Sequence, residues 1–124
     1  MYANTAHAAY AQNNIGIESP KKLVQMLYEG VLRFNLQAKR SIEANDIEKR
    51  GYWINRSCAI FGELINTLDM SQGDISQYLN GLYSYQLQLL SKANFENSAA
   101  PLSEVNDVVK GLLEAWREVN TTEQ

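Results

Sequence analysis

The chain has 124 residues, with 11 Lys and Arg, 14 Asp and Glu and one His, for a net charge of −3. That length supports one hydrophobic core without disulfide or metal staples, and the slightly acidic balance lacks the basic face that nucleic-acid binding needs. Cys58 stands alone, which excludes an intramolecular disulfide and a Cys-rich metal site. No stretch approaches the roughly 18 apolar residues of a membrane span, and none has the make-up of a signal peptide, so the sequence predicts a soluble, cytoplasmic protein without stable membrane insertion.

From Met1 to Ile17 there is no Asp, Glu, Lys or Arg, yet Tyr2, His7, Tyr10, Ile15 and Ile17 are present. Residues 1–18 therefore read as an extended or short-helical tail, too polar for a core and too apolar for a plain solvated terminus. Such a tail is expected to lie against its own protein or a partner. Ser19 followed by Pro20 then reads as an N-cap with proline at N1. Leu23, Leu27, Val31, Phe34, Ala38 and Ile42 recur at helical spacing behind it.

Glu43-Ala44-Asn45 breaks this first helix, and Asp46 is placed to cap the second. The second helix carries Ile47, Ile54, Cys58, Phe61, Ile65 and Leu68 on one stripe and Trp53, Ile60 and Leu64 beside it. Asp69 to Gly73 ends it, and Asp74 with Gln77 resembles a capping box for a third helix. That helix holds Ile75, Leu79, Leu82, Tyr83, Leu89, Leu90 and Ala93, widened by Tyr78, Tyr85 and Leu87. Asn94 to Leu102 reads as a polar connection. Ser103 is then expected to cap a fourth helix bearing Val105, Val108 or Val109, Leu112, Trp116 and Val119. Residues 120–124 read as a frayed tail. The fold class that follows is all-α, an antiparallel up-down-up-down four-helix bundle over residues 19–119.

The chemistry of catalysis is missing. A di-iron bundle needs Glu-x-x-His pairs facing inward, and the single histidine, His7, lies in the tail. Zinc lacks ligands for the same reason. Gly51, Gly62, Gly73 and Gly81 are isolated, with no phosphate-binding loop. Cys58 falls on an apolar stripe, where an inert buried thiol is expected. Glu29 with Arg33, and Glu114 with Glu118, have the spacing of solvated helix-surface neighbours. Neither a cofactor nor a metal nor an enzymatic activity is expected.

The aromatic residues stand out instead. Trp116 and Phe61 read as core or core-edge packing, with the polar tip of the former free to reach outward. The third helix, however, is apolar over an arc wider than the roughly 100° that a bundle needs, and the second is apolar on two adjacent faces. Two such helices side by side leave an apolar groove, which a partner or the uncharged tail must cover.

These residues also carry a family pattern. Ala9-Tyr10, then Ser19-Pro20-x-x-Leu23-x-x-Met26-Leu27-Tyr28-x-Gly30-x-Leu32-x-Phe34, then Glu63-Leu64 and Leu68-Asp69 occur in order. Leu82-Tyr83-x-Tyr85-x-x-x-x-Leu90-x-x-Ala93-Asn94 and Leu112-x-x-x-Trp116 complete the series. Over nearly the whole chain this resembles the flagellar secretion chaperone family FliS. The resemblance implies a cytosolic, non-enzymatic helical bundle that binds the C-terminal segment of flagellin, blocks premature polymerisation and helps present the subunit to a component of the flagellar export gate. A co-chaperone or competing regulator is a further partner to expect, and nucleic acid is not. Family tails often carry a second aromatic three residues before the tyrosine matching Tyr10. His7 stands there in this chain, which leaves Tyr10 as the main tail anchor.

On this reading Leu79, Leu82, Tyr83 and Leu87, with Trp53 and Ile54 opposite, form the groove, and Leu23, Met26, Leu27 and Tyr28 extend it beside the tail. The tail itself acts as a removable plug or as a clasp. Periodicity alone equally admits a helical adaptor or co-chaperone for a different amphipathic helix.

Overall fold

The computed structural model describes residues 19–122; the predicted N-terminal tail with His7 and Tyr10, and the last two residues, lie outside the described residues. Four helices follow one another: α1 (Pro20–Glu43), α2 (Ile47–Asn66), α3 (Asp74–Glu96) and α4 (Ala100–Thr122), with a 3-10 turn at Met70–Gln72 between α2 and α3. Each helix packs on two neighbours, α1 on α2 and α4, and α3 on α2 and α4. The N-termini of α1 and α3 meet the C-termini of α2 and α4 around one cavity, so neighbours run antiparallel. This is the up-down-up-down bundle that the apolar periodicity predicts.

The first two helix starts follow from their capping residues. Ser19 is extended (φ −143°, ψ 153°), its Oγ accepts the Lys22 N–H at 3.3 Å, and Pro20 occupies a position whose N–H would have no partner. Asp46 Oδ1 accepts the Lys49 N–H at 3.0 Å, and Asn45 reaches it through a left-handed conformation (φ 55°).

The other two starts differ from the sequence reading. Asp74 and Gln77 form no capping box: Gly73, at φ 74° and ψ −129°, is the N-cap and makes no side-chain capping bond. The capping carboxylate sits one turn earlier, on Asp69, which accepts the Ser71 N–H at 3.0 Å and the Ser71 hydroxyl at 2.6 Å. These bonds, with one from Gln72, hold the Asp69 carboxyl below its ordinary value. Ser76 closes the corner by donating to the Asp69 carbonyl at 2.6 Å.

Ser103 does not cap α4 either, because the helix already begins at Ala100. Pro101 is tolerated in a first turn, and Ser98 Oγ accepts the Ala100 N–H at 3.3 Å. The predicted long connection shrinks accordingly to 97–99, where left-handed Asn97 (φ 52°) ends α3. At its other end α4 carries through Asn120 and Thr121 to Thr122, into the stretch 120–124 read as a frayed tail, whose last two residues lie outside the described ones.

The core is Leu27, Val31 and Ala38 from α1, Ile54, Phe61 and Leu64 from α2, Leu90 and Ala93 from α3, and Leu102, Val105 and Val109 from α4. Phe61 is fully enclosed, as its stripe predicts. Gly30 sits where α1 and α2 press together: a Cβ there would lie 2.8 Å from Ile60 Cδ1. Side-chain bonds tie the helices at several levels. Arg50 of α2 bridges Asn94 and Asn97 at the end of α3, each at 2.9 Å. Buried Asn35 donates to Asn106 of α4 at 2.9 Å, and Arg117 of α4 pairs with Glu29 of α1 at 2.8 Å.

Candidate partner-binding groove

An apolar cavity of about 460 Å³ opens where α1 begins, α2 ends, α3 begins and α4 ends. Helix α1 contributes Pro20, Val24 and Tyr28, α3 contributes Ile75, Leu79 and Tyr83, and α4 contributes Leu112, Trp116 and Val119, with Leu68 just after α2. Four helix ends converge here without filling the space. Among the described residues no fifth element packs against their last apolar side chains, which leaves a volume suited to an apolar ligand.

At the base, the hydroxyls of Tyr28 and Tyr83 lie 2.7 Å apart across the bundle diagonal, in residues that are each 3% exposed. Burial pushes the phenol of Tyr28 up, partly offset by its bond to Tyr83. Burial pushes Tyr83 well above the ordinary range, reinforced by Tyr28. Both stay neutral at physiological pH, so the base carries no charge.

Trp116 stands edge-on to Tyr28 at 6.4 Å and donates its indole N–H to the Lys21 carbonyl at 2.9 Å. That bond ties the first turn of α1 to α4. Asp69 and Lys21 supply charge at the lining. The Cys58 thiol is not part of the lining, and burial pushes it up to about 11, so it stays a thiol at neutral pH. Among the described residues no group of three His, Cys, Asp or Glu is placed to hold a metal. Tyr28 and Tyr83 bond to each other, Trp116 to the Lys21 carbonyl and Asp69 to Ser71 and Gln72, so the surface the groove presents is mainly apolar.

Comparison with known proteins gives this geometry a family. Residues 2–123 match the family model described as flagellar protein FliS. The chain belongs to the FliS family. Three FliS relatives, each named a flagellar secretion chaperone, illustrate the range. That of Campylobacter jejuni is 56% identical over 124 residues, covering 99% of this chain and 97% of the relative. That of Bacillus subtilis is 30% identical over 100% of this chain and 92% of the relative. That of Escherichia coli is 31% identical over 95% and 91%. The FliS family match runs through all four helices described above.

Of the residues expected in the groove, the structure brings Tyr28, Leu79 and Tyr83 together. Leu23 and Leu27 are buried core, at 5% and 3% exposed, and Ile54 at 1% is core rather than groove wall. Met26, Leu82 and Leu87 are half-buried but do not line the cavity. Trp53 is displaced furthest. It does not face α3; it packs on Phe34 of α1 at 5.7 Å and on Tyr52 at 4.8 Å. Tyr10 lies outside the described residues.

The sequence reading missed Val24, Leu68, Ile75, Leu112, Trp116 and Val119 as lining, although it placed Trp116 at the core or its edge, where it is partly buried. The groove is an end groove shared by four helices, not a long seam between two. The signal was present in the helix boundaries: apolar residues in the terminal turns of a bundle have fewer neighbours than those at mid-helix.

Proposed function

We propose that this chain is a cytosolic, non-enzymatic export chaperone that receives the C-terminal segment of flagellin in the end groove. The bound subunit is thereby held from premature polymerisation and delivered to the flagellar export apparatus. The observation carrying this reading is the apolar end groove itself, continued outward by Ile75, Tyr78 and Tyr85, which are 60%, 64% and 54% exposed on α3. A chain whose described residues leave such a surface uncovered has a use for it. The names of the FliS relatives supply the class of cargo.

An amphipathic helix laid into the groove would seat its apolar face against Leu79 and Trp116, the helix-in-groove mode of recognition. Ordering a disordered segment costs about 2–5 kcal/mol or more, so cargo must continue past the groove along the exposed face of α3. The segment from Met1 to Ile17, joined through Glu18 to Ser19 and Pro20 beside the lining, is proposed to act on this seat as a plug or as a clasp.

Calorimetric titration with a flagellin C-terminal peptide tests the assignment. Ile75→Glu places a charge on an exposed position of the lining and leaves the core intact. It should weaken binding by about 2 kcal/mol, or roughly thirtyfold, the worth of one apolar anchor, with helicity unchanged. No binding by the native chain, or equal binding by the variant, sinks the groove assignment. Preference for an unrelated amphipathic helix over flagellin moves the reading to a general helical adaptor.

A further inference from the structure

The outer seam between α1 and α2 carries an array that the groove does not use. Arg33 and Arg56 both converge on the Phe34 ring, with guanidinium carbons 5.4 and 4.8 Å from its centre. Arg56 also lies 5.6 Å from the Tyr52 ring and donates to its hydroxyl at 3.3 Å. Trp53, tilted against Phe34 and edge-on to Tyr52, completes the floor. Beyond Trp53 a cleft of about 410 Å³ runs on past Arg40 and Lys49 to Ala44.

Four cations thus line one seam of a chain whose net charge is −3. None of the four is in an ion pair with a described residue. Asp46, the carboxylate in the cleft lining, already accepts the Lys49 N–H as the α2 cap. Two guanidiniums crowding one ring repel each other, and an anion placed between them relieves that repulsion. The rings also hold the guanidinium planes in place, so less freedom is lost when they meet a carboxylate.

We propose that this seam is a docking surface for an acidic, amphipathic helical segment of a second protein, taken up independently of the end groove. From Arg33 to Ala44 the seam spans about 16 Å of helix α1. That is too long for one small anion, and it matches carboxylates spread over about three turns of a helix. The Phe34 ring is already flanked by both guanidiniums and by Trp53, which leaves mainly the 53% exposed Tyr52 ring, short of the successive platforms on which nucleic-acid bases stack. The segment from Met1 to Ile17 has no Asp or Glu and so lacks the carboxylates that this seam calls for.

The probe is a fluorescent peptide of about three helical turns, with glutamates on one face and leucines on the other, read by anisotropy. The full chain should bind it saturably, and more weakly as salt rises. Arg33→Glu with Arg56→Glu, both at exposed positions, should weaken it at least tenfold with the melting curve unchanged. Ile75→Glu should bind it like the native chain, so that failure of the groove assignment and failure of this one read separately. Absence of saturable binding overturns the proposal, as does equal affinity in the charge-reversed variant or displacement by the flagellin peptide. Equal displacement by a single-stranded DNA of matched charge would make the seam a general anion surface. Self-association of the native chain, lost on charge reversal, would make the occupant a second copy. Either result replaces the proposal.

Discussion

Tyr28 and Tyr83 illustrate what a single buried pair contributes. Each hydroxyl satisfies the other at 2.7 Å, so removing one strands its partner in an apolar setting. Tyr28→Phe or Tyr83→Phe alone should therefore destabilise by about 1–3 kcal/mol, whereas the double Phe variant should be nearly neutral. Denaturant unfolding of all three reads the coupling directly, and additive losses would show that the bond contributes little. The same pair sets the alkaline limit. Unfolded tyrosine releases its proton near its ordinary value of 10.0, while Tyr83 is held well above it. Above that pH the unfolded state binds fewer protons than the folded one, so stability is intact below about 10 and falls as pH rises further. The double Phe variant should show a shallower decline.

Helix boundaries decide where the groove opens. Gly73 takes φ 74° and ψ −129° with no side-chain cap, a conformation that a Cβ makes costly although nothing lies within 4 Å of one. Gly73→Ala should cost about 1–3 kcal/mol of stability, seen as a lower urea midpoint at unchanged slope. An unchanged midpoint would mean that the corner relaxes without strain. Because α3 starts there, Ile75 and Leu79 would shift with it. Legibility in the sequence varied at this scale for physical reasons. Ser19-Pro20 and Asp46 announced their helices because each side chain caps the turn directly after it. The α3 corner was harder to read, since its capping carboxylate, Asp69, belongs to a 3-10 turn and a glycine begins the helix. The α4 start was masked by Ala100-Pro101, which fits a loop or a first turn equally well.

For the molecule as a whole, the bundle was readable from periodicity because apolar stripes at helical spacing have few other ways to be buried. The site was readable only in part. Periodicity states which face of a helix is apolar, but not which neighbour that face meets. Trp53 and Tyr83 lie on similar stripes; one turned to the α1–α2 seam and the other to the base of the groove. Removing residues 1–18 is the experiment that spans all scales. A plug that occupies the groove about 99% of the time lowers apparent affinity about a hundredfold. The shortened chain should then bind flagellin peptide more tightly or aggregate when free. Weaker binding without aggregation would instead identify the segment as a clasp.

The two tryptophans have been divided between these surfaces. Trp116 lines the end groove, with its indole N–H engaged by a backbone carbonyl. Trp53 sits on the seam among arginines and rings. The chain thus carries one native indole, excitable apart from the tyrosines, for each surface. With Trp53→Phe, emission reports filling of the groove; with Trp116→Phe, it reports occupancy of the seam. Simultaneous loading by two partners can therefore be followed without attaching a dye.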